Sequence, residues 1–308
     1  MSVSTKTFLH AVLATCVAGT ALLSVQTPTF AQDQLVQGEH QGEYIFNLAG
    51  CEGCHTDKKN NGTRLAGGRA FKTDYGTFYS PNITPDPDTG IGTWSAADFK
   101  RALRDGVAPD GKHYFPSFPY TSYTHMSDAD IAALWAYVKT QPIVNRVNTP
   151  HDLDPPFGWR WLMVFWNALY LDKGPKADWD RGRYVTEALS HCHECHTPRN
   201  AIGGYQDDKA FAGTKSNPEG IAIPNITPDA ETGVGKWSEG DFNMLFTIGM
   251  LPDGDFVGGV MSESISHSTS KMTADDRKAL IRHLQALPAV HNAVKAPKAP
   301  NSGENEWD

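Results

Sequence analysis

"AGCEGCHTDKKN", Ala49 to Asn60, and "LSHCHECHTPRN", Leu189 to Asn200, each contain the pentapeptide Cys-x-x-Cys-His. The chain has 308 residues and five cysteines, and four of those five lie in the two motifs, whose first cysteines are 141 positions apart. Cys-x-x-Cys followed at once by His is the attachment sequence of a c-type haem. Two intervening residues fit one helical turn, which brings both thiols to one edge of a porphyrin, where they add to its vinyl groups. The next side chain, an imidazole, then reaches the iron from the same side. A zinc knuckle would need four ligands, and each motif clusters three. A thioredoxin-like dithiol would need a βαβ setting and would not need the histidine twice. The pattern therefore predicts two covalently bound haems c. Cys51 and Cys54 hold the first, with His55 on its iron; Cys192 and Cys195 hold the second, with His196 on its iron.

The motifs belong to a longer duplication. "SPNITPDPDTGIGTWSAADF" from Ser80 matches "IPNITPDAETGVGKWSEGDF" from Ile223, and "APDGK" at Ala108 matches "LPDGD" at Leu251. Each copy closes on a helical stretch, "SDADIAALWAYVKTQP" from Ser127 and "TADDRKALIRHLQALP" from Thr273. Ser127 with Asp130, and Thr273 with Asp276, read as N-caps with an acid at N3, and Pro142 and Pro288 stop the helices. Trp94 and Trp237 occupy matching places, readable as core indoles beside a capped helix or as donors to a haem propionate. Arg199 reads either as a second propionate partner or as a solvent-exposed arginine. The expected fold is all-α: two tandem class I cytochrome c domains, residues 36–140 and 177–290, each with a slim protein core around its haem. The linker, 141–176, carries "PPFGWRWLMVFWNALYLDKGP". Its apolar run is too short to span a bilayer. It reads as a helix clamped on the domains or as an exposed docking patch.

Residues 1–31 read as a secretory signal, with Lys6 before the apolar run Phe8–Val25 and small residues at Thr29 and Ala31. Cleavage after Ala31 removes Cys16. It also shifts the net charge from −8 to −9, because Lys6 is the one charged residue lost. A chain this acidic is unsuited to nucleic acid or an anionic membrane surface. Residues 291–308, rich in Pro, Ala and polar residues, read as a mobile tail.

An electron carrier commonly places a methionine on the iron opposite the histidine. Aligned on the shared Pro-Asp-Gly, Met261 lies seven residues beyond Gly254 and is the expected sixth ligand of the second haem. The matching residue, seven beyond Gly111, is Phe118, which cannot bind iron. Met126 is the expected substitute. His125, His113 and an open site are the alternatives.

The blocks "CHTPRN", "PNITPD…TGIGTW", "FPYTSYTHMSD" and "KMTADDRKALIRHLQALP" resemble the c-type cytochromes that serve as electron-accepting subunits of periplasmic alcohol, aldehyde and gluconate dehydrogenases. The resemblance covers most of residues 40–290. Many members of that family read Met-Pro-Tyr where this chain reads Phe118-Pro119-Tyr120, and many carry a third haem and a membrane-associating C-terminal helix. The resemblance implies a periplasmic electron carrier rather than a catalyst. Its partners would be a dehydrogenase and a downstream redox acceptor, and membrane contact is not required. The rival reading is a dihaem enzyme, such as a peroxidase, working at an open first haem.

Overall fold

The computed structural model describes residues 40–294. The expected signal, and all but the first residues of the expected tail, lie outside them. The described chain is largely helical. Helix α1 (Gln41–Leu48) leads into α2 (Cys51–His55). A hairpin follows, β1 (Ala70–Thr73) and β2 (Gly76–Tyr79), and then α3 (Ala96–Asp105), α4 (Tyr120–Tyr123) and α5 (Asp128–Lys139). The linker adds β3 (Asp152–Leu153) and α6 (Leu162–Tyr170). Helix α7 (Arg181–Arg183) continues as a π turn over Tyr184–Leu189 before α8 (Cys192–His196). Last come α9 (Glu239–Ile248), α10 (Gly259–His267) and α11 (Ala274–Ala286).

Local chemistry sets these boundaries. Ser95 and Ser238 form reciprocal capping boxes with Asp98 and Asp241, and α3 and α9 end on Gly106 and Gly249 in the left-handed region. Trp94 and Trp237 pack half-buried on the core beside those caps. Replacing Ser95 or Ser238 by Ala should cost about 1 kcal/mol of stability, read from urea unfolding.

Ser127 and Thr273 also cap as expected, through Asp130 N and Asp276 N at 3.0 and 3.2 Å. Their N3 acids do not turn back to close a box. Asp276 accepts from Tyr44 Oη at 2.6 Å and from Arg181 Nε and Nη2 at 2.7 and 2.6 Å. Asp130 accepts from Gln41 Nε2 at 3.0 Å and from Tyr184 Oη. Each carboxylate thus joins the two halves of the chain: Asp276 is held by the charged Arg181 and by Tyr44, and Asp130 by the neutral donors of Gln41 and Tyr184.

Helix α1 packs across α5, and α7 across α11. Backbones touch at the crossings: a Cβ on Gly42 would lie 2.2 Å from Ala133 O, and one on Gly182 would lie 2.4 Å from Ala279 O. Gly42→Ala should therefore destabilise by about 2 kcal/mol through overpacking, measured as a lower urea midpoint.

Phe46, Leu48, Leu134 and Val138 line the core at the first crossing; Val185, Leu189, Leu280 and Leu284 line it at the second. Both belong to one continuous buried cluster.

The small antiparallel sheet, ordered β1-β2-β3, departs from an all-α fold. Ala70 pairs with Tyr79 and Thr73 with Gly76 across a two-residue turn. Gly76, at φ 107°, passes so close to Asp152 that a Cβ would meet its carbonyl oxygen at 2.4 Å.

Helix α6 is clamped by its inner face. Trp166 Nε1 donates to Ile202 O at 2.9 Å, Tyr120 Oη donates to Asn167 Oδ1 at 2.6 Å, and Asn200 Nδ2 donates to Tyr170 Oη at 3.0 Å. Its outer stripe, Trp161, Val164, Phe165, Ala168 and Leu169, stands in solvent. No described helix is long and apolar enough to cross a membrane.

Candidate haem-binding sites

Each motif forms a five-residue helix, α2 or α8, entered through a left-handed residue: Gly50 at φ 63° and His191 at φ 39°. The four thiols are free. Burial pushes those of Cys51 and Cys192 up to about 12, so they stay protonated. His55 Nδ1 lies 2.8 Å from Pro81 O, and His196 Nδ1 lies 2.9 Å from Pro224 O. Burial pulls both imidazoles below their ordinary pKa, with the proline carbonyls pulling the other way, so the rings stay neutral. Nδ1–H then donates to the carbonyl, and the Nε2 lone pair is left to bind a metal. Among the described residues no three His, Cys, Asp or Glu side chains converge as a metal cluster. Two thiols and one oriented imidazole per motif do fit haem c.

The duplicated block supplies the orienting carbonyl, and its central bonds recur in both copies. Asn82 Oδ1 accepts from Thr84 N at 2.9 Å, and Asn225 Oδ1 from Thr227 N at 2.9 Å. Asn82 Nδ2 donates to Val144 O and Asn225 Nδ2 to Val290 O, both at 2.7 Å. These bonds tie the segment after each closing helix to the segment behind each histidine. Gly67 N reaches His55 O at 2.8 Å, and Gly213 N reaches His196 O at 2.7 Å.

The ligand loops also correspond. Gly111 N bonds to Ala108 O and Gly254 N to Leu251 O, each at 2.9 Å; Tyr114 N bonds to Gly106 O at 2.7 Å and Val257 N to Gly249 O at 2.9 Å. Phe118 and Met261 follow four residues later in step, and both are half-buried against the core. Met126 N bonds to Tyr123 O at 3.0 Å and Met272 N to Thr269 O at 3.1 Å. Both methionines are deeply buried, each immediately before an N-cap. His125 Nδ1 is 2.7 Å from Gly174 O, and its ring packs on Trp179. His113 Nδ1 faces Asn167 Nδ2 at 3.4 Å, and its carbonyl accepts from Arg160.

Each ligand loop also reaches the other half's motif. Thr121 and Ser122 donate to Glu194 Oε1 at 2.6 and 3.0 Å. Ser268 Oγ donates to Leu48 O at 2.9 Å. A Cβ on Gly50 would sit 3.9 Å from His191 Nε2, so the two motif entrances adjoin. Glu194 is the residue that sequence reasoning missed. It pairs with half-buried Arg199 at 2.5 Å, and neighbouring positive charge holds its carboxyl down at about 2 despite burial. Arg199 also covers the Tyr205 ring, so the side chain read as a propionate partner is engaged within the protein. The "CHECHTPRN" spacing was the available signal.

Comparison with known proteins agrees with this geometry. The "Cytochrome c" family matches residues 40–142. A "Diheme cytochrome c-type" protein of Cereibacter sphaeroides is 41% identical over 288 residues, which is 89% of this chain and 95% of the relative. The "Gluconate 2-dehydrogenase cytochrome c subunit" of Pantoea cypripedii is 35% identical, over 89% of this chain and 64% of its own length. The "Alcohol dehydrogenase (quinone), cytochrome c subunit" of Gluconobacter oxydans is 33% identical, over 86% and 57%. The chain thus spans less than two thirds of those two dehydrogenase subunits but nearly all of the dihaem relative. With two attachment motifs, two oriented imidazoles and that end-to-end likeness, the chain belongs to the dihaem c-type cytochromes and carries two covalently bound haems c.

Proposed function

We propose that the chain relays single electrons from a periplasmic dehydrogenase to a downstream redox acceptor. It would do so through two tandem cytochrome c domains, residues 36–140 and 177–290, joined by the linker 141–176. The observation that carries this reading is the junction at Gly50 and His191, where the two motif entrances adjoin within one continuous core. The names of the dehydrogenase cytochrome subunits support the donor, and the apolar run Phe8–Val25 supports export. The relatives described above lend a peroxidase no support.

Cys51, Cys54, Cys192 and Cys195 would form the thioether bonds, and His55 and His196 would bind the irons. When bound, each haem supplies an iron that takes up or gives up one electron. The protein's part is to hold and tune. Pro81 O and Pro224 O fix the imidazole planes and raise their basicity as ligands. The apolar core excludes water, which favours the less charged oxidation state.

Met261 would be the sixth ligand of the second haem, since its thioether favours ferrous iron and raises the potential. Met261→Ala should therefore lower the higher of the two midpoint potentials and remove the methionine–iron charge-transfer absorption of the ferric protein. An unchanged spectrum would show that the Pro-Asp-Gly alignment does not place the ligand. Met126 was the sequence's candidate on the first haem. It matches Met272 in burial, hydrogen bond and place before an N-cap, and in our reading both are core residues.

A further inference from the structure

The ligand loop of the first half makes two contacts that fix its direction. Near one end Tyr123 Oη donates at 2.6 Å to the carbonyl of Ala49, two residues before Cys51. Near the other end Phe115 packs on Phe78, with ring centroids 5.6 Å apart. Phe78 lies in β2, which leads to Pro81, the residue whose carbonyl orients His55. The loop thus meets the motif at Tyr123 and the strand on the histidine side at Phe115, with Phe118 between the two.

The linker brings Arg160 to the Phe115 end. Its Nη1 donates to His113 O at 2.8 Å, and its guanidinium lies 4.6 Å over the Phe115 ring. It is half-buried and forms no ion pair with a described residue; nearby Asp110 is paired with Lys112 at 2.7 Å. The hydroxyl of Tyr114 has no bond to a described residue either, and burial pushes it up to about 12, so it keeps its proton to donate. His151 is no rival cation here. Its ring packs on Phe78 and Phe115, its Nδ1 accepts from Tyr79 N at 3.1 Å, and burial with the charge of Arg160 pulls it down to about 4. A cavity of about 420 Å³ opens between Phe115, His151, Trp159 and Arg160. Elsewhere in the first half Arg64, Arg69, Arg101 and Arg104 all have carboxylate partners, and Arg146 turns to Ala66 O.

We propose that Arg160 and Tyr114 bind a propionate of the first haem, so that the linker helps to set that haem's potential. In a haem c the propionates leave the edge opposite the thioethers. With the thioether edge held at Cys51 and Cys54, where Tyr123 meets the motif, the opposite edge faces the Phe115 end of the loop. A partly buried guanidinium without an anion is costly, and a carboxylate beside it relieves that cost. Arg160 offers further N–H donors beyond the one used by His113 O, and Tyr114 offers an O–H. The second half has Val257 in the place of Tyr114, which donates nothing from its side chain. The fixed positive charge at the first haem disfavours ferric iron and so raises its potential. The proposal rests on the haem assignment above.

The test uses the full-length holoprotein. A pyridine haemochrome count of two haems per chain comes first; a count of one would overturn the proposal through the haem assignment beneath it. In a redox titration the first haem's step is the one that Met261→Ala leaves in place. Arg160→Gln, which keeps an amide donor for His113 O and removes the charge, should lower that step and leave the other unmoved. Arg160→Lys keeps the charge and should restore most of the potential. Tyr114→Phe removes only the hydroxyl and should lower the same step by less. The propionate bending band in the resonance Raman spectrum should move in both Arg160→Gln and Tyr114→Phe. An unmoved step and band in Arg160→Gln would overturn the proposal. Equal shifts in Arg160→Gln and Arg160→Lys would do so too, since they would trace the effect to lost packing of the linker rather than to charge.

Discussion

Replacing Cys192 and Cys195 together by alanine should halve the covalent haem of the purified protein, from two per chain to one, and replacing Cys51 and Cys54 should do the same. The thioether bonds need both thiols of a motif, and the described cysteines all lie in the two motifs. The remaining motif keeps its own oriented histidine, through Pro81 O or Pro224 O, so its haem should stay attached. Loss of one haem should also loosen the half that held it. Each half packs two short helices across a glycine contact, and such a small unit has little apolar area of its own to bury. The pyridine haemochrome assay, with intact mass, reads the count directly. A wild type with one haem, or a double-alanine variant that keeps two, would contradict the assignment of the motifs.

The next largest effect should come from Glu194. Its carboxylate is buried, ion-paired with Arg199 and hydrogen-bonded to Thr121 and Ser122 of the other half. Glu194→Ala removes the negative charge that faces Arg199 and leaves a largely shielded guanidinium without its partner. Breaking a buried pair in this way costs about 3–5 kcal/mol. For a protein of this size that corresponds to a fall of about 10 °C in Tm. Arg199→Ala should cost about as much, and the double variant should cost clearly less than the sum of the two, because the charge left behind is the main penalty. Thermal unfolding of the three variants checks this, and a loss below 1 kcal/mol for both single variants would show the pair to be dispensable.

What could be read in the sequence was chiefly local. The two motifs, the caps at Ser95, Ser127, Ser238 and Thr273, and the correspondence of the Pro-Asn-Ile-Thr blocks depend on residues close in the chain, and the hydrogen bonds of the fold follow them. What escaped was long-range. That Asp130 and Asp276 would serve Tyr184 and Tyr44 across the junction depends on how the halves meet, which no spacing encodes. The hairpin at Ala70–Tyr79 escaped because it is only eight paired residues within a loop expected to wrap a haem.

The shift between repeats had a structural cause as well. Tyr44 and Tyr184 match at 140 positions, yet the cysteines match at 141. The π turn over Tyr184–Leu189 absorbs the extra residue: Ser190 N bonds to Val185 O, five residues back. A one-residue insertion looks the same in the sequence whether a loop or a helix takes it up. The partnership of Glu194 with Arg199 was half visible, since both lie in "CHECHTPRN", but their burial was not.

Spectroelectrochemical titration of the purified protein tests the dihaem relay most directly. The account predicts two reversible one-electron steps of equal amplitude in the haem absorbance, at distinct potentials, with Met261→Ala lowering only the higher one. A single one-electron step, or two steps of which Met261→Ala shifts neither, would contradict it.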